Sequence, residues 1–284
     1  MTSAFPPRGN LDSLNEVLEP IVGAPVSLEE LKHRPERRRT MRARGPGGTA
    51  IVKIYASERA STVASRIESL QAGPEEPVVP MVVHVDPEHH LVVLSDVPGR
   101  PLRAAMLEGD LATCARAGVA LGTWHAAWHG APPGPLQPHT ADREVAVLRA
   151  RAEMASPLVA RAVENMLSDL KGGWECTTVV HRDLYEEQVL VGERVGLIDL
   201  DDAAVGPPEL DLGNLVAHLE LLELRRGRVL AAGRRALLDG YAETGPALDS
   251  RLLDRCRRLT LLRLAGLNDD VRLVVAAIGQ GVPA

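Results

Sequence analysis

The sequence predicts an α+β protein with a small antiparallel-sheet lobe followed by a larger, mostly helical lobe. Three observations lead there. Short apolar runs separated by Gly and Pro turns fill the first hundred residues, and long stretches of helical periodicity dominate from Leu102 onward. Between them lies the linker-like segment Ser95-Asp96-Val97-Pro98-Gly99-Arg100-Pro101. The lobes are therefore placed at residues 1–96 and 97–284, with a hinge at about 94–99.

The elements follow in order. Leu28 to Arg44 is highly charged and reads as a pair of exposed strands around Pro35. Gly45-Pro46-Gly47-Gly48 is a strong turn leading into the strand Thr49 to Tyr55, which carries Lys53. From Ser57 to Gln71, apolar residues fall at Ala60, Val63, Ala64, Ile67 and Leu70, the spacing of one helix face, and Pro74 and Pro77 end the run. Val78 to Val85 and His90 to Leu94 read as two further strands about the Asp86-Pro87 turn. The second half reads as helices over Leu102 to His129, Thr140 to Leu170, Leu212 to Arg225, Val229 to Thr244 and Leu248 to Leu267. A β-like insert interrupts them at Val189-Leu190-Val191 and Val195 to Leu200.

With 284 residues, 45% hydrophobic and 25% charged, the chain can bury a substantial core. That excludes a largely disordered, collagenous or disulfide-stapled protein. Seven aromatic residues are too few for binding single-stranded nucleic acid by stacking, and a net charge of −6 disfavours nucleic acid generally. The same charge suits a cationic ligand, although acidic balance commonly serves only solubility. Cys114, Cys176 and Cys256 lack metal spacing and read as reduced thiols. Met1 to Asn10 shows no apolar signal core, and no run approaches the roughly 20 apolar residues that span a bilayer. These points predict a cytoplasmic protein with no membrane or nucleic-acid partner. Only three lysines occur, Lys32, Lys53 and Lys171, so a lysine inside an apolar strand needs a reason.

The chemistry concentrates between Val179 and Leu215. His181-Arg182-Asp183-Leu184-Tyr185-Glu186-Glu187-Gln188 is followed by an apolar strand that ends at Asp199, sixteen residues beyond Asp183. Phosphoryl transfer needs this inventory: one carboxylate to orient an acceptor hydroxyl and receive its proton, and a second carboxylate with an amide oxygen to hold Mg²⁺.

The segment resembles the aminoglycoside phosphotransferase and choline kinase-like family, relatives of the protein kinases. That family's pattern is H-G-D-x-x-x-x-N followed by I-D-W-x-D-A-G-x-G-D-P-x-x-D-L. The second part stands here as Ile198-Asp199-Leu200-Asp201-Asp202-Ala203-Ala204-Val205-Gly206-Pro207-Pro208-Glu209-Leu210-Asp211-Leu212. The resemblance implies a protein kinase-like fold, with the first lobe binding ATP or GTP and γ-phosphoryl transfer to a hydroxylated small molecule. It makes Asp183 the catalytic base, Asp199 and Gln188 the Mg²⁺ ligands, His181 a support of the loop and Asp211 a brace from the next helix. Two residues depart from the pattern: Arg182 stands for Gly, and Gln188 for Asn with one extra methylene.

In the first lobe, Lys53 looks like the kinase lysine on the nucleotide phosphates. Glu68, about 90° from the centre of the apolar stripe, is the better glutamate to pair with it; Glu58 lies nearly opposite the stripe. Backbone groups near Ser95 and Val97 would meet the base. The basic run Arg37-Arg38-Arg39 reads as a solvated strand face, and His125 as a packing or hydrogen-bonding residue. No G-x-G-x-x-G precedes Lys53 and no A-P-E follows Asp199, which favours a small-molecule acceptor over a protein. Two other functions compete. A dehalogenase-type phosphatase would use Asp199 and Asp201, but only 85 residues follow Asp199, without a lysine. A catalytically impaired nucleotide- or partner-binding module is motivated by Gln188.

Overall fold

The computed structural model describes residues 11–167, 173–268 and 270–278. The chain divides into two compact units, 1–72 with 79–98, and 73–78 with 99–284.

The first unit opens with α1 (Leu11–Val22), a helix the sequence reading left unassigned. Its apolar residues Leu14, Val17, Leu18, Ile21 and Val22 do recur at helical spacing, but Pro20 near its end obscured the pattern. Then come β1 (Ser27–Arg34), β2 (Arg38–Gly45) and β3 (Gly48–Tyr55), α2 (Ala60–Ser69), β4 (Val82–Asp86) and β5 (Leu91–Ser95). The strands form one antiparallel sheet in the order β1-β2-β3-β5-β4. β3 is central, so its ladder is filled on both sides. Met41, Ala43, Ala50, Val52, Leu91 and Val93 point to one face and pack under Leu18 and Val22 of α1. The expected stripe of α2 is buried through Ala60, Val63, Ala64 and Ile67. The strand expected from Val78 starts only at Val82, because Val78 bonds instead to Val195 and Leu197 in the second unit.

The second unit contains β6 (Arg100–Pro101), α3 (Leu102–Glu108), α4 (Leu111–Ala127), α5 (Ala141–Ala152) and α6 (Pro157–Leu167). It continues with β7 (Thr178–Val180), β8 (Val189–Val191), β9 (Val195–Leu197) and β10 (Ala204–Gly206). The helices α7 (Pro208–Arg226), α8 (Ala231–Thr244), α9 (Ser250–Asn268) and α10 (Val271–Ile278) complete it. The helix expected over Leu102 to His129 is two: Gly109 ends α3 in the left-handed conformation, and the Asp110 side chain caps α4 by accepting from Thr113 N–H at 3.0 Å. The stretch expected over Thr140 to Leu170 divides into α5 and α6, and its last three residues lie outside those described, as do Met1 to Asn10 and Lys171. α10 was not expected. No helix among the described residues is long and apolar enough to cross a membrane.

The main helical core joins Leu148, Val163, Leu221, Leu262 and Leu273 from five helices. α4 and α8 pack even closer, because glycines face backbone at their crossing. A Cβ on Gly118 would stand 1.9 Å from the Leu237 carbonyl oxygen, and one on Gly240 2.1 Å from that of Ala115. Gly118→Ala is expected to force the helices apart and cost about 3 kcal/mol. The measurement is urea unfolding, where the midpoint should fall without a change of slope.

Candidate active site

The loop from His181 to Gln188 connects β7, which pairs with β10, to β8, which pairs with β9. Both strand pairs are short and fully or largely buried, so the loop is gripped at each end by apolar ladders. Its conformation is set from α7. The helix begins at Pro208, earlier than the expected Leu212, which puts Asp211 in its first turn. There the carboxylate, only 1% exposed, accepts the His181 N–H at 2.6 Å and the Arg182 N–H at 2.8 Å. One turn on, Asn214 donates its amide to the Leu184 carbonyl at 2.5 Å, while its own oxygen takes a hydrogen bond from Thr260 and a contact from Arg263.

His125 of α4 completes the support. Its Nε2 faces Asp211 at 3.3 Å and its Nδ1 faces the Tyr241 hydroxyl at 3.1 Å. A carboxylate can only accept, so Nε2 carries the proton and Nδ1 accepts from Tyr241. The hydrogen-bonding role expected for His125 is what the structure shows.

His181 ties the loop to the second motif. Its Nε2 donates to the Ile198 carbonyl at 2.7 Å, which leaves Nδ1 to accept the Asp183 N–H at 3.3 Å. Asp199 then follows at φ +66°, a left-handed conformation uncommon outside glycine, and so does Arg182 at φ +69°. That explains why a glycine is natural at position 182; Arg182 holds the same conformation through the Asp211 bond. The turn at Asp199 brings its carboxylate within 3.3 Å of the Gln188 amide nitrogen, and Ile198 N–H bonds Gln188 O at 3.0 Å. Asp183 makes no side-chain hydrogen bond or ion pair among the described residues. Asp183, His181, Gln188 and Asp199 are thus brought together as neighbours of one loop and one strand end.

The two glutamates of the same loop stand differently. Glu187 pairs with Arg103, and Glu186 is 7% exposed with its Oε2 buried and unpartnered among the described residues. Burial, reinforced by the Glu187 charge, pushes the Glu186 carboxyl up to about 7 from its ordinary 4.5. The folded chain therefore holds this proton through a window where the unfolded chain has released it. Stability from this group is highest below about 4.5 and falls as pH rises toward 7. Glu186→Gln should remove that fall and be more stable than the native chain at pH 8 by roughly 3 kcal/mol, read by denaturant unfolding at a series of pH values. Beside it Tyr185 stacks on His218, with ring centres 4.9 Å apart. Burial, with Arg263 and Arg225 nearby, holds the His218 ring well below its ordinary value, at about 3, so it stacks as the neutral form.

In the first unit, Lys53 is 4% exposed in the centre of the sheet. Glu68 does not pair with it. It lies on the exposed side of α2, one residue beyond the buried Ile67, and makes no ion pair among the described residues. Ser95 commits its N–H and its hydroxyl to Met81: the N–H donates to the carbonyl and the hydroxyl accepts the amide, each at 2.9 Å. Val97 is buried, and its backbone has no such partner among the described residues. The basic run is not a uniform solvated face, since Arg38 is only 7% exposed.

Residues 32–247 match the profile of the phosphotransferase enzyme family. The chain belongs to that family. No protein of curated function matches it in sequence. The protein kinase-like fold of the phosphotransferases is shared with solved structures at low identity. A choline/ethanolamine kinase family protein from Mesorhizobium loti is 21% identical with a TM-score of 0.63, covering 94% of this chain and 91% of its own. Choline kinase from Cryptosporidium parvum is 10% identical with a TM-score of 0.64, covering 94% and 90%. A spectinomycin phosphotransferase solved with ADP and spectinomycin is 15% identical with a TM-score of 0.60, covering 93% and 88%.

Proposed function

We propose that this phosphotransferase moves the γ-phosphoryl group of ATP or GTP to a hydroxyl of a small molecule. The observation that carries the reading is the junction of the two motifs, where the Gln188 amide lies 3.3 Å from the Asp199 carboxylate beside the uncommitted Asp183. Rotating the amide about its last bond turns its oxygen toward the same space, so Gln188 can serve despite the longer side chain. The donor set is then all oxygen, which suits Mg²⁺, an ion that keeps several waters and takes few protein ligands. Bound there, the ion would neutralise charge on the nucleotide phosphates.

Asp183 orients the acceptor hydroxyl and takes its proton as the bond to the γ-phosphorus forms and the bond from that phosphorus to the departing nucleoside diphosphate breaks. His181 and Asp211 hold the backbone that aims Asp183. Lys53 is assigned to the α- and β-phosphates, and the free backbone groups of Val97 to the base edge; Ser95 has only its carbonyl left for that role. Similar folds solved with ADP and spectinomycin, or with AMP-PNP and amicoumacin, support a nucleotide donor and a small-molecule acceptor. The net charge of −6 favours a cationic acceptor among these.

Calorimetric titration of ATP and GTP with and without Mg²⁺ tests the reading, in the native chain and in Asp199→Asn. Metal-dependent binding lost in the variant is expected, by about tenfold or more. Absence of binding for both nucleotides would favour the module without catalysis that Gln188 first suggested.

A further inference from the structure

The strand register places Arg42 of β2 opposite Ile51 of β3, and Ile51 opposite Leu94 of β5, in one row on one face of the sheet. It is the face of Lys53, two residues beyond Ile51. The α1 core takes the other face, with Met41, Ala43, Ala50, Val52 and Val93. Leu94 is buried, whereas Ile51 is partly open. An apolar side chain and an arginine stem thus lie beside the segment assigned above to the base edge.

Asp96 stands in that segment, between Ser95 and Val97. Its Oδ1 lies 3.9 Å from Arg42 Nη2, which puts the carboxylate on the Lys53 face as well. That separation is an ion pair without a hydrogen bond, and Asp96 makes no hydrogen bond among the described residues. Both side chains are 31% exposed, so a ligand can reach them. Arg42 is shared with Glu29, also at 3.9 Å. The sheet therefore holds a carboxylate beside the base edge and leaves its oxygens unsaturated.

We infer that Asp96 selects the purine of the phosphoryl donor, taking guanine over adenine. Guanine presents N1–H and the 2-amino group as two adjacent donors, and a carboxylate only accepts. The Val97 N–H is then free to donate to O6. Adenine presents a lone pair at N1 and a C–H at position 2, so it offers the carboxylate no proton. A site whose polar group the wrong ligand leaves unpaired rejects that ligand. The inference rests on the nucleotide-donor reading above and deepens it by naming the donor.

The test is calorimetric titration of GTP, ITP and ATP with Mg²⁺ into the native chain, Asp96→Ala and Asp96→Asn, beside thermal unfolding of each. Hypoxanthine keeps O6 and N1–H but lacks the amino group. The native chain should bind GTP about tenfold or more tighter than ATP, with ITP between them. Asp96→Ala should weaken GTP about tenfold and ATP less than twofold. Asp96→Asn, whose amide both donates and accepts, should bring the two within about threefold. Both variants should melt close to the native chain, because the carboxylate carries only the 3.9 Å pair. ATP bound as tightly as GTP by the native chain overturns the selection and leaves the nucleotide reading standing. An equal loss of ATP and GTP in Asp96→Ala does the same, since it assigns the carboxylate to a part that both nucleotides share. A native chain that binds none of the three overturns the nucleotide reading, and the selection with it.

Discussion

Asp183→Asn is expected to slow phosphoryl transfer by about 10³-fold while leaving nucleotide affinity within about twofold. Asparagine keeps the shape and one acceptor oxygen but cannot take the proton of the attacking hydroxyl. The substitution is structurally mild, because Asp183 is half-buried and its carboxylate has no partner within the described residues. Its backbone N–H to His181 is untouched. A coupled assay of nucleoside diphosphate release, run beside calorimetry, separates the two effects. Turnover retained within tenfold would remove Asp183 from the role of base.

Asp211→Ala should be the most damaging single change outside the reacting groups. Its carboxylate answers two buried backbone N–H groups and the His125 ring at once. Deleting it orphans all three, and an unsatisfied buried donor costs about 1–3 kcal/mol. A loss of about 4 kcal/mol is expected, together with loss of activity at temperatures where the variant is still folded, because the loop carrying Asp183 no longer has its anchor. Asp211→Asn should fall between the two. It retains one acceptor oxygen but turns an NH₂ group toward one of the donors. Circular dichroism melting and the same release assay give both readouts.

The parts legible in the sequence are those written in neighbouring residues. The stripe from Ala60 to Ile67 needed only the helical period, and the Gly45 to Gly48 turn needed only its composition. The two motifs were visible because their chemistry is local; the brace from Asp211 came only through the family resemblance, since its bonds to His181 and Arg182 span 30 and 29 positions. The helix break at Gly109 was written there too, though the long amphipathic run hid it.

Glu68 shows where such reasoning stops. An angle of about 90° from an apolar stripe is compatible with facing the sheet or facing water, and docking of α2 on β4 and β5 put it in water. The Asn214 clamp on Leu184 and the Tyr241 contact on His125 left no mark in the sequence, since each joins residues 30 and 116 positions apart.

By itself, then, the sequence determined most of the strands and helices between Leu28 and Leu267, the inventory of donors and acceptors, and the family. Tertiary structure alone decided that Gln188 meets Asp199, that Glu68 is left outside, and that Asp96 faces Arg42. The physical reason is that periodicity and turn chemistry act over a few residues. Strand register and helix docking, by contrast, are settled by the burial of distant apolar faces against one another, and these decide which polar groups meet.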